Sequence, residues 1–490
     1  MAAFDREEEM QPVTWRLLPQ KPQLGLLFFT RFMDIFQAVS IQSYVFYFLR
    51  NFDTTVSNAT NSSQAGILLS SFTGAQLITT LLWARTADSK WIGRKGVILV
   101  GIFGTALSCL GFGFARSFRE ALVWRVLGGA LNALPSIVGV MTSEIVEEKR
   151  LKPLAFLLQP MSFGVAAFIG PAIGGLTADP VSQYHNILGP GSILGGKHGI
   201  RWMTRYPFAL PNILSAGFLI LNGVVVLIHL KETLKRPKTD IDTELNHMNI
   251  DDFRRDLSFP NEKLSPQTPT QRIWTSKFIF TLVSLASFDF HTSAFNTILP
   301  LFLSTPPTVP SALEKHNLPF VFSGGLSMSS SSIGLATALI GAIGLIFHAI
   351  LYPPVHHRLG TLSCYRTFSP LFVATYTLLP YVAFGVSLEE EASFQAWGYI
   401  LLLLLLHVTG RTFVLPTGAV LLNDCSTTPS SLTRVHAIGQ VVSSASRTLG
   451  GVMSGYWYGI GLRHGVVGAA WWAVSFVALL GWLSSRRIPH

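Results

Sequence analysis

Apolar and polar positions along this chain are grouped in long blocks. Predominantly apolar runs of about 20 residues or more recur through the sequence, at 24–49, 65–84, 97–115, 119–143, 153–178, 206–230, 276–303, 330–352, 363–386, 394–420, 434–461 and 464–485. A helix rises about 1.5 Å per residue, so about 20 apolar residues cross the roughly 30 Å apolar core of a bilayer. The pattern therefore predicts an all-α membrane protein with twelve transmembrane helices.

One long polar stretch separates the first six apolar runs from the last six. It mixes acidic and basic residues with several prolines, a composition typical of a disordered linker. Two six-helix bundles related by pseudo-symmetry are therefore expected. The predicted order is a cytosolic N-terminal tail, a first bundle, a cytosolic linker, a second bundle and a cytosolic C-terminal tail, at 1–23, 24–230, 231–275, 276–485 and 486–490.

The short segment WARTADSKWIGRK, between the second and third runs, indicates how the chain is oriented. It carries four cations and a single acid, Asp88. Short basic loops remain in the cytoplasm, so we expect this loop, both chain termini and the linker on that side. A second basic turn, YPPVHHRLG at 352–360, follows the eighth run at the equivalent place. Such a repeat predicts a binding cavity between the halves, near the midplane of the membrane.

The opposite side of the membrane is expected to be extracellular or lumenal. Two glycosylation sequons, at Asn58 and Asn61, fall in the loop predicted after the first helix. The acidic run 389–391 lies in another predicted outer loop. The segment 179–205 departs from the charge rule because it is basic, and its Gly- and Pro-rich composition favours a folded external loop.

Composition narrows the class of protein. Only 13% of the 490 residues are charged and 49% are hydrophobic, whereas soluble proteins carry about 25% charged residues. The net charge of +10 is concentrated in short loops beside apolar runs, so the positive-inside rule explains it and nucleic-acid binding is not expected. The polar N-terminal tail has no apolar core, and we expect no cleavable signal peptide.

Neither a cofactor nor a metal is expected. The three cysteines are too few and too scattered for a disulfide framework or a metal cluster. The sequence has no GxxxxGK[ST] loop, CxxC, HExxH or GxSxG motif, so ATP-driven transport and enzymatic catalysis are not expected.

Three short motifs resemble those of the major facilitator superfamily, in its twelve-helix drug:proton antiporter branch. The first is the loop after the second helix, in which Asp88 is followed by Gly93, Arg94 and Lys95. This loop departs from the family pattern by Ala84 at an initial glycine position and by two extra residues before Gly93. By the resemblance, the loop is expected to help gate one half of a two-half carrier.

The other two motifs lie within predicted helices. Arg125 on the fourth helix precedes a Gly pair, as in the superfamily. The fifth helix carries Gly170, Pro171, Gly174 and Gly175, the Gly-Pro-x-x-Gly-Gly ending that resembles the antiporter motif. Small residues let a neighbouring helix approach closely, and an internal proline permits a bend. The motif therefore predicts close packing, a bendable helix, or both.

Within that branch the chain is similar to fungal and plant zinc-induced facilitator-like transporters. The resemblance implies a monomeric multi-pass carrier in the lipid bilayer that exports a small organic compound, such as a drug or secondary metabolite, in exchange for protons. The plasma membrane is the expected location and the vacuolar membrane the alternative. Export of metal chelates or organic anions, transport without proton coupling, and a non-transporting sensor on the same scaffold remain as alternatives.

Ionisable residues within the apolar runs are the candidates for proton coupling, because each costs at least about 2.5–3.5 kcal/mol to insert. Arg31 and Asp34 are three residues apart on the first helix and can form an ion pair. Asp34 and Asp289 lie on equivalent helices of the two halves and are the candidates for reversible protonation. Arg125 and His291 are further candidates. Static ion pairs and structural hydrogen bonds are the alternatives for all five.

Three more ionisable residues are candidates for the substrate cavity, namely His407, Arg411 and Arg447. The two arginines could attract an anionic substrate, pair with other helices or face the cytosolic opening. A single histidine in a membrane helix is more often a satisfied polar contact, which is the alternative for His407.

Overall fold

A computed structural model describes most of the chain. The described residues are 15–148, 151–192, 194–196, 200–234, 274–307, 320–385, 394–425 and 429–489. The expectations for the N-terminal tail before residue 15, for linker residues 235–273 and for the acidic run 389–391 fall outside these ranges.

The described chain is almost wholly helical. Its long helical segments, labelled α1 to α12 in order, are Lys21–Ser43, Asn58–Ala87, Gly93–Gly113, Phe118–Ile145, Leu154–Thr177, Ala209–His229, Ser276–Ser304, Ser330–Ile350, Thr361–Phe384, Gln395–Asn423, Pro429–Arg463 and Gly468–Arg486. Within the described residues, 11 of them, all except α11, are long and apolar enough to cross a membrane. The predicted fold class is confirmed.

The exception, α11, is long enough to cross a membrane but too polar to resemble an ordinary transmembrane helix. It spans 35 residues and includes Arg434, His436 and the run Ser443-Ser444-Ala445-Ser446-Arg447. Polar residues are tolerated at membrane depth where they face other helices or a water-filled cavity. The composition of α11 therefore indicates a helix between the two halves.

The helices form two groups with the same packing pattern. In the first group α1 packs against α5 and α6, α2 against α4, and α3 against α4 and α6. In the second group α7 packs against α11 and α12, α8 against α10, and α9 against α10 and α12. Adding six to each helix number converts the first pattern into the second, which is the pseudo-symmetry expected from the sequence.

The halves meet through two helix pairs, α2 with α11 and α5 with α8. Glycines bring the backbones together at one end of each pair. A Cβ atom built on Gly66 of α2 would lie 2.8 Å from Gly455 Cα of α11, and one built on Gly334 of α8 would lie 3.1 Å from Gly175 Cα of α5. Both contacts are nearer the Asn58 end of α2 than its Asp88 end, hereafter the Asn58 side and the Asp88 side.

The small-residue face predicted on α5 contacts two different helices. Gly170 and Gly174 pack against the backbone of α1, whereas Gly175 packs against α8 of the other half. Pro171 lies inside the helix, and its carbonyl accepts a hydrogen bond from Ser43 Oγ at 2.7 Å. The motif thus connects α1 to the contact between the two halves.

The second helix begins earlier than the sequence predicted. Ser57 caps it by accepting a hydrogen bond from the amide of Thr60, and Asn58 is its first residue. The expected loop position of Asn58 and Asn61 is therefore wrong, because both lie in the first turns of α2. The side chain of Asn61 is only 1% exposed, so a glycan does not fit there in this conformation; glycosylation of Asn58 stays a prediction.

Candidate functional site

The buried polar side chains of the first half centre on Asp34 of α1. Its carboxylate forms an ion pair with Arg31, about one turn earlier, and accepts a hydrogen bond from Asn132 Nδ2 at 2.5 Å. Asp34 and Asn132 are 5% and 0% exposed. The ion pair expected from the spacing is present, and α4 adds a third member to it.

The helix α4 is interrupted at Asn132. One helical stretch ends at Leu131 and the next begins at Leu134, whose amide donates to Asn132 Oδ1 at 3.1 Å. In an uninterrupted helix that amide would bond to the carbonyl of Ala130. Instead, the Ala130 carbonyl accepts a hydrogen bond from Trp83 Nε1 of α2 at 2.6 Å. The break is therefore stabilised by specific side chains.

Two further side chains connect Asn132 to its neighbours. Gln76 Nε2 of α2 lies 3.1 Å from both the backbone carbonyl and Oδ1 of Asn132. Asn132 Nδ2 also donates to Thr105 Oγ1 of α3 at 3.1 Å. We call Asp34, Asn132, Gln76 and Thr105 the Asn132 network; it joins α1, α2, α3 and α4 at one point.

Arg125 lies outside this network, although it shares α4 with Asn132. Its Nε donates to the carbonyl of Leu68 at 3.5 Å, and its guanidinium carbon lies 4.7 Å from the centroid of the Phe72 ring. Both partners belong to α2. Arg125 makes no ion pair with Asp34 and links α4 to α2.

On the Asp88 side, the loop between α2 and α3 forms ion pairs with the end of α4. Arg94 lies 3.3 Å from Asp88 within the loop and 2.8 Å from Glu144 of α4. Glu144 also accepts a hydrogen bond from Thr233 Oγ1, just after α6, at 2.6 Å. We call Asp88, Arg94 and Glu144 the Arg94 cluster; it joins three parts of the first half.

The start of α3 explains the glycine of the loop motif. Gly93 has a positive φ of 68°, which favours glycine, and a Cβ atom there would collide with the carboxylate of Glu232. That carboxylate accepts hydrogen bonds from the amides of Arg94 and Lys95 at 3.2 and 3.0 Å. A carboxylate at a helix N-terminus satisfies free amides and complements the helix dipole.

The second half also contains an acid and an arginine, but they are farther apart. Asp289 of α7 lies 3.8 Å from Arg447 of α11, and the Arg447 side chain is 44% exposed. Ser293 Oγ donates to the Arg447 carbonyl at 2.6 Å. This pair is loose and partly exposed, unlike the buried pair of the first half.

The two histidines predicted as functional lie in an aromatic cluster within the second half. His291 Nδ1 and the hydroxyl of Tyr376 are 2.9 Å apart. The ring of His407 stacks on Phe295 with centroids 3.7 Å apart and also packs near Phe372. His407 is only 1% exposed, so its expected position in a cavity is wrong; the aromatic surroundings bury its ring.

A cavity between the two halves contains Arg411. It is lined by Val39, Gln42, Phe163, Ala167, Pro171, Asn296, Leu299, Pro300, Thr337, Ile340 and Arg411. These residues belong to α1 and α5 of the first half and to α7, α8 and α10 of the second. The cavity lies where the repeated architecture predicts a binding site.

Sequence reasoning missed Asn132, its partners Gln76 and Thr105, and Trp83 beside the break, because uncharged side chains carry no insertion signal as strong as a charge. Pro135 was the available sign of the break, since proline is common in the first turn of a helix. Within the described residues, no group of three or more His, Cys, Asp or Glu side chains is arranged to hold a metal ion.

Comparison with known proteins agrees with the motif-based resemblance. A family model described as Major Facilitator Superfamily matches residues 26–451. The chain is 28% identical to the major facilitator superfamily multidrug transporter mfsB of Aspergillus fumigatus, covering 96% of this chain and 84% of that protein. It is 24% identical to the protein ZINC INDUCED FACILITATOR 1 of Arabidopsis thaliana, covering 84% and 78%. The predicted resemblance is confirmed.

A solved structure shows the same fold at low sequence identity. The D-xylose-proton symporter matches with a TM-score of 0.62 and 13% identity, covering 95% of this chain and 96% of that one. At this identity the likeness shows the arrangement of helices alone.

Proposed function

The chain belongs to the Major Facilitator Superfamily, and from that premise we propose that it exports a small organic compound in exchange for protons. Transport proceeds by alternating access of a cavity between the halves. The observation that carries the proton coupling is the position of Asp34, which is bonded both to Arg31 and to Asn132 at the break in α4.

Protonation of Asp34 would change both of these bonds. The neutral acid loses its charge attraction to Arg31, and one carboxyl oxygen becomes a hydrogen-bond donor. Asn132 is also bonded to Gln76 of α2 and to the Leu134 amide, so a change at Asp34 reaches the α4 break directly. Because α2 is one of the helices between the halves, a proton on Asp34 can bias how the halves pack.

The Arg94 cluster would then help to hold the first half together on the Asp88 side. Its charges are near the surface, so each contact contributes roughly 1 kcal/mol or less. We propose that it adjusts the balance between the conformations, whereas the Asn132 network sets the response to protons.

The name of the multidrug transporter mfsB supports export of small organic compounds. The resemblance to zinc-induced facilitator-like transporters keeps export of metal chelates or organic anions as the alternative. We propose a monomer in the lipid bilayer that needs no cofactor, performs no enzymatic reaction and lies in the plasma membrane, with the vacuolar membrane as the alternative.

Proton flux in proteoliposomes tests the coupling. Purified protein would be reconstituted with a pH-sensitive dye inside, and 4-phenylbutyrate, its amide and its amine would be added in turn across an imposed pH gradient. We expect at least one compound to start proton flux, and Asp34→Asn to reduce that flux about 100-fold. The matched control is Asp53→Asn, since Asp53 is an exposed acid that, among the described residues, is bonded only to Thr55.

A second readout separates loss of coupling from loss of folding. Exchange of the labelled compound across the membrane without a pH gradient should persist in Asp34→Asn. Proton flux that is equal in Asp34→Asn and wild type would contradict the assignment of Asp34, and the absence of compound-dependent proton flux in the wild type would contradict antiport.

A further inference from the structure

Arg411 differs from the other arginines at membrane depth because, within the described residues, its guanidinium has neither a carboxylate partner nor a hydrogen-bond acceptor. Arg31 pairs with Asp34, and Arg447 lies 3.8 Å from Asp289. Arg125 donates to a backbone carbonyl. Within the described part of the chain, no carboxylate lies within 4 Å of Arg411, and its guanidinium makes no hydrogen bond.

The contact that Arg411 does make leaves its donors free. Its guanidinium carbon lies 4.7 Å from the centroid of the Phe163 ring, which belongs to the other half. A cation over an aromatic face is attracted by the ring, but the N–H groups at the edge of the guanidinium are not satisfied by it. The ring therefore orients the cation without neutralising it.

Two amide side chains line the same cavity as Arg411. Gln42 projects from α1 and Asn296 from α7, and within the described residues neither side chain makes a hydrogen bond. The remaining wall is largely apolar and includes Leu299 and Ile340. An apolar wall with a few convergent polar groups is typical of a site for a small organic ligand. In this conformation the cavity has a volume of only about 30 Å³, so the halves must move apart there to admit such a ligand.

We propose that this cavity binds an organic anion whose carboxylate is held by Arg411 and whose apolar body lies against Leu299 and Ile340. The planar guanidinium matches a carboxylate through two parallel hydrogen bonds. Gln42 and Asn296 supply further donors for the same group. The inference rests on the proposed transport function and specifies its substrate class.

The position of the site explains how a bound anion affects both halves. Gln42 and Phe163 belong to the first half, and Asn296 and Arg411 to the second. A ligand that contacts both halves stabilises one arrangement of the halves over another only if it makes different contacts in the two arrangements. Because Phe163 and Arg411 are on opposite halves, their contact must change when the halves separate.

Binding of three matched compounds to the purified full chain tests the substrate class. The probes are 4-phenylbutyrate, 4-phenylbutyramide and 4-phenylbutylamine, which share one body and differ in the charge of one group. The variants are Arg411→Gln, which removes the charge, and Arg411→Lys, which keeps the charge but lacks the planar guanidinium and its two parallel hydrogen bonds. Arg463→Gln is the matched control, because Arg463 is an exposed arginine near the end of α11.

We expect the wild type to bind the acid more tightly than the amide or the amine. Arg411→Gln should weaken binding of the acid about 10- to 100-fold, with the loss in Arg411→Lys in between, while binding of the amide changes little. Arg463→Gln should match the wild type. Melting temperatures of all variants would show that each is folded.

The proposal is overturned if Arg411→Gln binds the acid as tightly as the wild type, or if the wild type prefers the amine. Either result leaves the proton-flux experiment unaffected, because that experiment depends on Asp34 and accepts any of the three compounds. Conversely, intact selectivity for the acid without proton flux would reject antiport and retain the anion site.

Discussion

The two halves share one helix arrangement but differ in how deeply their acidic side chains are buried and how closely these are paired. In the first half Asp34 is buried, paired with Arg31 and bonded through Asn132 to three further helices. In the second half the equivalent helix carries Asp289, which lies 3.8 Å from a partly exposed arginine. The comparison suggests that a repeated scaffold can assign proton coupling to one half, although both halves line the cavity.

The remaining polar groups of the second half are enclosed by rings. His291 and Tyr376 bond to each other, and His407 stacks on Phe295. These contacts stay inside a single bundle, and among the described residues His407 Nδ1 is buried without a hydrogen-bond partner. The Asn132 network, in contrast, joins a side chain that can take up a proton to a helix between the halves. We infer that the first arrangement stabilises the bundle and the second couples it to transport.

The largest expected difference is between the two acids. We predict that Asp34→Asn lowers proton-driven transport about 100-fold and that Asp289→Asn lowers it by about threefold or less. The measurement is the initial rate of proton flux in proteoliposomes at several pH values. Equal losses in the two variants would mean that the halves share the coupling.

The next effect concerns the break in α4. Asn132→Ala removes a donor from Asp34 and an acceptor from Gln76 and the Leu134 amide, and each unsatisfied buried group costs about 1–3 kcal/mol. We expect transport to fall about tenfold, with a shifted pH profile. The matched control is Asn222→Ala, whose side chain bonds to Thr30 outside the network; it should lower stability and leave the pH profile unchanged. A shifted pH profile in both variants would show that Asn132 has no specific role in proton coupling.

The aromatic cluster should affect stability more than transport. His291→Phe leaves the buried hydroxyl of Tyr376 without its ring-nitrogen partner, which should destabilise the protein by about 1–3 kcal/mol. Adding Tyr376→Phe should restore much of the lost stability, because replacing both hydrogen-bond partners with apolar groups is nearly neutral. Melting curves of the single and double variants measure this. A changed pH profile of transport would show that His291 belongs to the proton path.

The smallest effect is expected at the Arg94 cluster. Glu144→Gln removes the ion pair with Arg94, and partly exposed pairs contribute about 1 kcal/mol or less. Transport rates should change about two- to fivefold, and high salt should produce a similar change in the wild type because it screens the same charges. Glu120→Gln, at the start of α4 on the Asn58 side, is the control and should have no effect on transport.

Much of the fold was predictable because segments that cross a membrane are long, apolar and almost free of charge. The twelve apolar runs follow from where charge is absent, and the division into halves and the basic loop at Asp88 follow from where charge is concentrated. The start of α2 was misplaced because the residues between Asn58 and Ser63 are mostly polar, although Ser57 caps a helix there.

The candidate site was only partly predictable, because it depends on which groups meet. The spacing of Arg31 and Asp34 was sufficient to expect their ion pair. Nothing in the sequence placed Asn132 beside Asp34, since 98 residues separate them. The burial of His407 was equally hidden, because its neighbours Phe295 and Phe372 come from other helices.

The close approach of Gly66 to Gly455 has a mechanical consequence. Because neither residue has a side chain, the two backbones touch near one end of α2, and the contact can act as a fulcrum. From Gly66 to Ala87 the helix extends roughly 30 Å, at about 1.5 Å per residue. A rotation of about 10° at the fulcrum would therefore move the Asp88 end by roughly 5 Å, a distance comparable to one helical turn. A small change of angle between the halves is thus magnified into an opening on the far side of the membrane.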